Sequence, residues 1–162
     1  LSSVELLIRK PDPAVVAIDP GAVSGAMALD CDDLITVADL PVANGQLDAA
    51  TLGRTLRAAR VRVAVVERVG AMPKQGVAST FKFGFACGAI YGVLAALEIP
   101  IYYVTPQTWK KHFSLIGKDK EAGRALAIQR HPAVWGLQLK KHQGRAEALL
   151  MLDWFRDKEK RP

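Results

Sequence analysis

At 162 residues, half of them hydrophobic, the chain has the length of one domain with a single substantial core. Its two cysteines, Cys31 and Cys87, are far apart, which excludes a disulfide scaffold and a cysteine-spaced zinc site; both read as reduced core thiols of a cytosolic protein. The formal charge of +6 points to an anionic partner and is uneven: residues 1–106 hold nine Lys/Arg against ten Asp/Glu, residues 107–162 thirteen against six.

No stretch is repetitive or of low complexity, and no secretory signal is visible. The longest apolar run, Phe83 to Leu97, is shorter than the roughly 20 residues of a membrane span, so no membrane partner is expected. Residues 1–13 read as a lead-in, 14–156 as the domain and 157–162 as a charged tail that frays. The basic last third suits a phosphate-tracking surface and, equally, a solvated helical face with a basic tail.

In chain order, Ala14 to Asp19 reads as a first strand, Gly25 to Leu29 as a second, Asp30 to Asp33 as an acidic turn and Leu34 to Leu40 as a third strand. Turns this short make an antiparallel meander. Asp48 is placed to cap a helix through Ala59, with Leu52 and Leu56 four apart on its buried face. Val61 to Glu67 is then a fourth strand, reached by a crossover and so parallel to the first. Both of these strands end on an acid. Asp19 and Glu67 should therefore meet at one sheet edge, where a carboxylate among apolar neighbours calls for a compensating cation or donors; a turn-opening role for Asp19 is the plain alternative.

The loop from Arg68 to Gly76 is rich in breakers and carries Met72 and Lys74, as substrate-contacting loops do, or as a simple connector does. A long helix from about Val77 to Leu97 follows, with Gly84, Gly88 and Gly92 at four-residue spacing. Each mid-helix glycine costs about 1 kcal/mol relative to alanine, so the stripe implies close approach of another backbone, either the sheet or a second subunit. Ile101 to Val104 is a fifth strand. Thr105-Pro106 starts a helix carrying Trp109, Lys110 and Lys111, broken by Gly117. Lys118-Asp119-Lys120 leads into a helix through about Arg130, and His131-Pro132 ends it. Trp135 and Leu137 are expected to pack in the next loop. Lys140-Lys141 precede a last helix from about Gly144 to Trp154, whose Leu149, Leu150, Leu152 and Phe155 suit a face on the sheet. Glu147 stands among small residues of that helix, where either a cation or an ion pair must answer it. His142, five residues earlier, lies about 140° away around an ideal helix and shares a site with Glu147 only at or before the first turn.

Four segments together resemble the RuvC family of Holliday-junction resolvases: Ile18-Asp19-Pro20-Gly21; Val66-Glu67 with its Gln75-Gly76 loop; Pro106-Gln107-Thr108-Trp109-Lys110-Lys111; and Lys141-His142-Gln143-Gly144-Arg145-Ala146-Glu147-Ala148-Leu149-Leu150. The likeness spans roughly residues 14 to 155 and is to the phage-type and chloroplast-type branch, whose last motif also ends Gly-Arg-Ala-Glu-Ala-Leu-Leu. At His142 many phage members carry Asp and the chloroplast branch carries His. The resemblance implies an α/β, ribonuclease H-like fold, a five-stranded mixed sheet with helices on both faces. It implies a homodimer that nicks two like-polarity strands of a four-way junction, or other branched DNA, using two Mg²⁺ ions per site, with Mn²⁺ as a substitute. Asp19 would bridge the ions, Glu67 and Glu147 would complete their shells, and His142 would ligate one or position the attacking water. Lys120 would stabilise charge at the scissile phosphate. Lys110, Lys111, Lys118, Lys140, Lys141 and Arg145 would hold DNA, with Met72 and Lys74 near the crossover. Its place would be the cytoplasm or nucleoid of a bacterial or phage-infected cell, or an organelle.

Two other readings compete. Asp19-Pro20-Gly21-Ala22-Val23-Ser24-Gly25 resembles the phosphate loop of sugar-kinase or actin-like ATPases, but that architecture needs two such domains and the chain is too short. A non-cutting junction-binding protein on the same fold is the other, and the intact Asp19, Glu67 and Glu147 argue against it.

Overall fold

The computed structural model describes residues 13–160 apart from 22–24, 33, 69 and 71–75. In chain order the described elements are β1 (Val15–Asp19), β2 (Ala26–Cys31), β3 (Leu34–Asp39), a small hairpin of β4 (Val42–Ala43) and β5 (Gln46–Leu47), α1 (Ala49–Ala58), β6 (Val63–Glu67), α2 (Val77–Ala96), β7 (Ile101–Val104), α3 (Pro106–His112), α4 (Lys120–Arg130), a single 3₁₀ turn (Lys140–His142) and α5 (Gln143–Glu159). One mixed sheet has the order β3-β2-β1-β6-β7. Its first three strands form the expected antiparallel meander; β6 runs parallel to β1, and β7 parallel to β6. The register sets Ile18 beside Val66, which brings Asp19 and Glu67, one residue on, to the same end of adjacent strands.

Strand alternation sorts the core. Val15, Ala17, Ala28 and Val65 face a cluster that includes Trp109, Ala127 and Leu149 to Leu152, from α3, α4 and α5. Val16, Ile18, Ala64 and Val66 face Leu52 and Leu56 of α1 with Ile90 and Leu94 of α2. Helices therefore cover both faces. By the same alternation Asp19 and Glu67 fall on the α3–α5 side. Helix α5 is the centre of that side: it packs on β1, β2, β3 and β6, and Ala148 to Phe155 are all buried. Local chemistry starts the helices as the sequence predicts. Asp48, Thr105 and Asp119 accept from the backbone N–H groups of Thr51, Thr108 and Ala122, and Pro106 takes the first turn of α3.

Four expectations change. The hairpin at 42–47 was not anticipated, although Asn44 and Gly45, with φ of 53° and 74°, are the residue pair that favours such a turn. The charged end is helical as far as Glu159: α5 is held there by an Arg62–Glu159 ion pair (2.8 Å), a His112–Asp157 contact (2.9 Å) and a Lys158 hydrogen bond to the Tyr102 hydroxyl (2.5 Å). Trp135 does not pack; it is 85% exposed, whereas Leu137 is fully buried as expected. Of the two partners open to the glycine stripe of α2 the sheet is not the one, because a Cβ added at Gly84, Gly88 or Gly92 would touch nothing within 4 Å among the described residues. At 20 residues α2 exceeds the apolar run read from sequence, and by length and composition alone it is long and apolar enough to cross a membrane. Only Ile90 and Leu94 of it are buried, leaving Val77, Phe81, Phe85 and Tyr91 exposed. Met72 and Lys74 lie outside the described residues.

Candidate functional site

Asp19 closes β1, and its Oδ1 accepts from the Gly21 backbone N–H at 3.0 Å. The corner behind it has room only for glycine at position 25, where a Cβ would lie 2.5 Å from the Pro20 carbonyl oxygen and 2.7 Å from that of Asp19. Glu67 closes β6, buried, with Oε1 accepting from the Trp109 indole N–H at 2.8 Å. The third acid reaches the site because α5 passes close by. At Gly144 a Cβ would sit 3.2 Å from Asp19 Oδ2, so a larger residue would press the helix away. Glu147, one turn further along α5, stands 3.5 Å from Lys110 Nζ, itself over the Trp109 ring.

The three acids feel each other. Burial, then the charges of Glu67 and Glu147, push the Asp19 carboxyl up to about 7, against a smaller pull from the Gly21 amide and Lys120. Burial and the Glu147 charge also raise Glu67, opposed by the Trp109 hydrogen bond, Lys110 and Lys120. Lys120, at the first turn of α4, thus faces both acids. Oxygen-only, mutually repelling donors with a deficit of positive charge have the chemistry that hard divalent cations satisfy. Among the described residues, however, no three or more His, Cys, Asp or Glu side chains stand close enough as placed to hold a metal ion.

The remaining sequence-predicted residues divide. Lys111, Lys118, Lys140 and Lys141 are exposed. His142 is buried; its Nδ1 accepts from the Leu139 backbone N–H at 3.3 Å, which leaves the neutral ring an N–H, not a lone pair, at Nε2. Burial first, then the charges of Arg145, Lys141 and Arg124, holds its pKa below the usual value, against a smaller pull from Asp39. Arg145 is engaged elsewhere: Nε and Nη2 both donate to Asp39 at 2.7 Å, and Nη1 donates to the Gly136 carbonyl at 3.3 Å. That fork holds the Asp39 carboxyl below its ordinary range. Sequence reasoning missed Trp109 as the holder of Glu67 and Gly144 as the seat of Asp19; no local signal announces either, since each partner is distant in the chain.

A five-stranded mixed sheet of this order, with helices on both faces and acids at the ends of its central strands, is a ribonuclease H-like fold. Its solved counterparts include RuvC of Thermus thermophilus, with a TM-score of 0.63 at 16% identity over 90% of this chain and 96% of that one. T. thermophilus RuvC in complex with Holliday junction substrate gives 0.62 at 15% identity, over 91% and 96%. At this identity the likeness is one of fold. No family model and no curated protein matches the sequence.

Proposed function

We propose that the chain is a structure-selective endonuclease that resolves four-way DNA junctions by paired symmetric nicks with the help of Mg²⁺. The observation that carries this reading is the pair of buried acids at the ends of adjacent strands, Asp19 and Glu67, with half-buried Glu147 beside them; burial, then the charges of the other two acids, lifts Asp19 to about 7. A neighbour in fold bound to Holliday junction substrate and the basic last third of the chain support the choice of substrate.

Bound divalent ions would supply Lewis-acid stabilisation and water of lowered pKa, and Asp19, Glu67 and Glu147 would hold them. The chain's own groups do the rest. Trp109 fixes the Glu67 carboxylate, and Gly144 lets α5 bring Glu147 within reach of β1. Lys120 offers positive charge where the phosphate gains negative charge. The Nε2 N–H of His142 suits orienting an oxygen better than ligating a metal. Lys110, Lys111, Lys118, Lys140 and Lys141 would follow the DNA backbone. The substrate would put the enzyme with DNA, in the cytoplasm or nucleoid of a bacterial or phage-infected cell, or in an organelle.

Paired cutting needs two sites, and α2 suits a homodimer. Val77, Phe81, Gly84, Gly88 and Tyr91 recur three or four residues apart on one exposed stripe, and the glycines let a second helix come close. Gly88→Leu should leave the monomer fold intact, because among the described residues nothing lies within 4 Å of the new Cβ and leucine favours helix. It should shift sedimentation in detergent-free buffer from dimer to monomer and abolish paired nicking. An unchanged dimer would remove α2 from the interface.

A non-cutting branched-DNA binder is the second reading, favoured by the lack of a closed ligand set among the described residues. Incubation with an end-labelled four-way junction in Mg²⁺ separates them. Symmetric paired nicks support the nuclease; tight binding without nicks supports the binder.

A further inference from the structure

Trp135 is used by neither the core nor the proposed chemistry. Of the three tryptophans, Trp109 is fully buried and Trp154 nearly so, whereas Trp135 is 85% exposed. An indole on a loose loop folds back onto the nearest apolar surface, since burying it is worth more than for almost any other side chain. This loop is fastened. Arg124 Nη1 donates to the Leu137 carbonyl at 2.7 Å and to that of Gln138 at 3.0 Å. The Gln138 side-chain oxygen accepts from the N–H groups of Gly136 at 3.0 Å and Leu137 at 3.1 Å, and Leu137 is buried beneath. Gly136 adopts φ of 96°, and a Cβ there would lie 3.0 Å from Arg145 Nη1 and 3.3 Å from Val37 Cγ2. The chain just after Trp135 is thus pinned between β3 and α5, and the indole stands out from it.

The loop lies at the same end of the sheet as the acids, because Arg145 also binds Asp39, which pairs through Ala26 of β2 with Asp19. Arg145, which holds the Gly136 carbonyl, directly follows Gly144, the residue against Asp19. The surroundings are basic. Asp39 is matched by Arg145, and Glu121 is paired with Arg124, so exposed Lys140 and Lys141, whose charges reach Glu121 and Asp39, set the local balance. An exposed aromatic surface with exposed lysines five and six residues on in the chain offers the chemistry of nucleic-acid contact: a π-face stacks on a base, and ammonium groups hold the neighbouring phosphates.

We propose that Trp135 is a DNA-contacting residue, stacking on a base exposed near the branch point while Lys140 and Lys141 hold the adjoining backbone. This rests on the nuclease reading for its substrate, but it is tested by binding alone. Full-length protein without added metal is titrated with a synthetic immobile four-way junction and with a blunt duplex of the same arm sequence. Trp135→Ala should weaken junction binding about tenfold, the scale of one lost stack, while Trp135→Phe stays within about threefold of wild type. Acrylamide quenching of the one exposed tryptophan should fall when junction is added. Because the side chain is solvent-exposed, Trp135→Ala should melt at the wild-type temperature, which separates lost contact from lost fold. Junction affinity within twofold of wild type, with acrylamide access unchanged, would overturn the proposal and leave the indole to a protein partner. If wild type fails to nick junctions while Trp135→Ala still loses affinity, the nuclease reading falls and the contact stands.

Discussion

Asp19→Asn is expected to abolish junction cleavage and, in metal-free protein at pH 8, to raise the melting temperature. The first effect follows from removing the carboxylate on which the charges of Glu67 and Glu147 both act; loss of metal-based stabilisation worth several kcal/mol would lower the rate on the order of a thousandfold or more. Junction binding should survive, because it rests on lysine–phosphate contacts spread over the surface. The second effect is a linkage consequence. At pH 8 an Asp19 with a folded pKa of about 7 is ionised against the preference of its site. The neutral amide removes that penalty and keeps the oxygen that accepts from Gly21. A gain on the order of 3 kcal/mol corresponds to roughly 10 °C for a domain of this size. At pH 4.5 the folded wild-type carboxyl is already protonated while the unfolded one is mostly ionised, so the gain should shrink to about 1 kcal/mol. Calorimetry at the two pH values checks it: an equal difference at both would mean that packing, not charge, separates the variant from wild type. Normal cleavage by the variant would remove Asp19 from the chemistry.

The parts of this site that were legible in the sequence are those with local or periodic signals. Two apolar runs ending on acids, joined through a helix, required β1 and β6 to be parallel and to bring Asp19 and Glu67 together, which the register bears out. Asp48 and Thr105-Pro106 announced helix starts that the structure contains, and the helix expected after Lys118-Asp119-Lys120 is there, capped by Asp119. What was illegible depends on partners far apart in the chain. The Asp39–Arg145 fork joins residues 106 positions apart, and the Trp109–Glu67 bond joins residues 42 apart. Neither has a spacing rule. Helix α2 shows a different limit: it is apolar on every side, so periodicity could not say which face meets the sheet, and the glycine stripe proved to be the open one. Trp135 was expected to pack by composition alone. The arginines that hold its loop outward come from α4 and α5, and only the folded chain brings them there.

Divalent metal should stabilise the protein strongly at pH 8 and weakly near pH 5. Asp19 takes a proton at about 7 in the folded chain and at 3.8 in an ordinary setting, so between those values the native state holds a proton that the unfolded state has lost. Unfolding then becomes easier as pH rises, and stability present below pH 4 is lost through pH 7, by on the order of 4 kcal/mol for the full interval. Glu67, also raised, adds in the same direction. Asp39 works oppositely: its carboxyl is held low by Arg145, so its contribution is present at neutral pH and lost in acid. Comparing wild type with Asp19→Asn cancels that background. A cation held among the three acids would replace the proton, so adding Mn²⁺ at about a hundred times its dissociation constant should restore roughly 2.7 kcal/mol at pH 8. Near pH 6 the same binding must first expel a proton, and titration calorimetry in buffers of different ionisation enthalpy should register its release. Asp19→Asn should lose both the pH-dependent metal stabilisation and the proton release. If Mn²⁺ stabilises wild type and variant alike, or releases no proton near pH 6, the cation is bound somewhere other than between Asp19, Glu67 and Glu147.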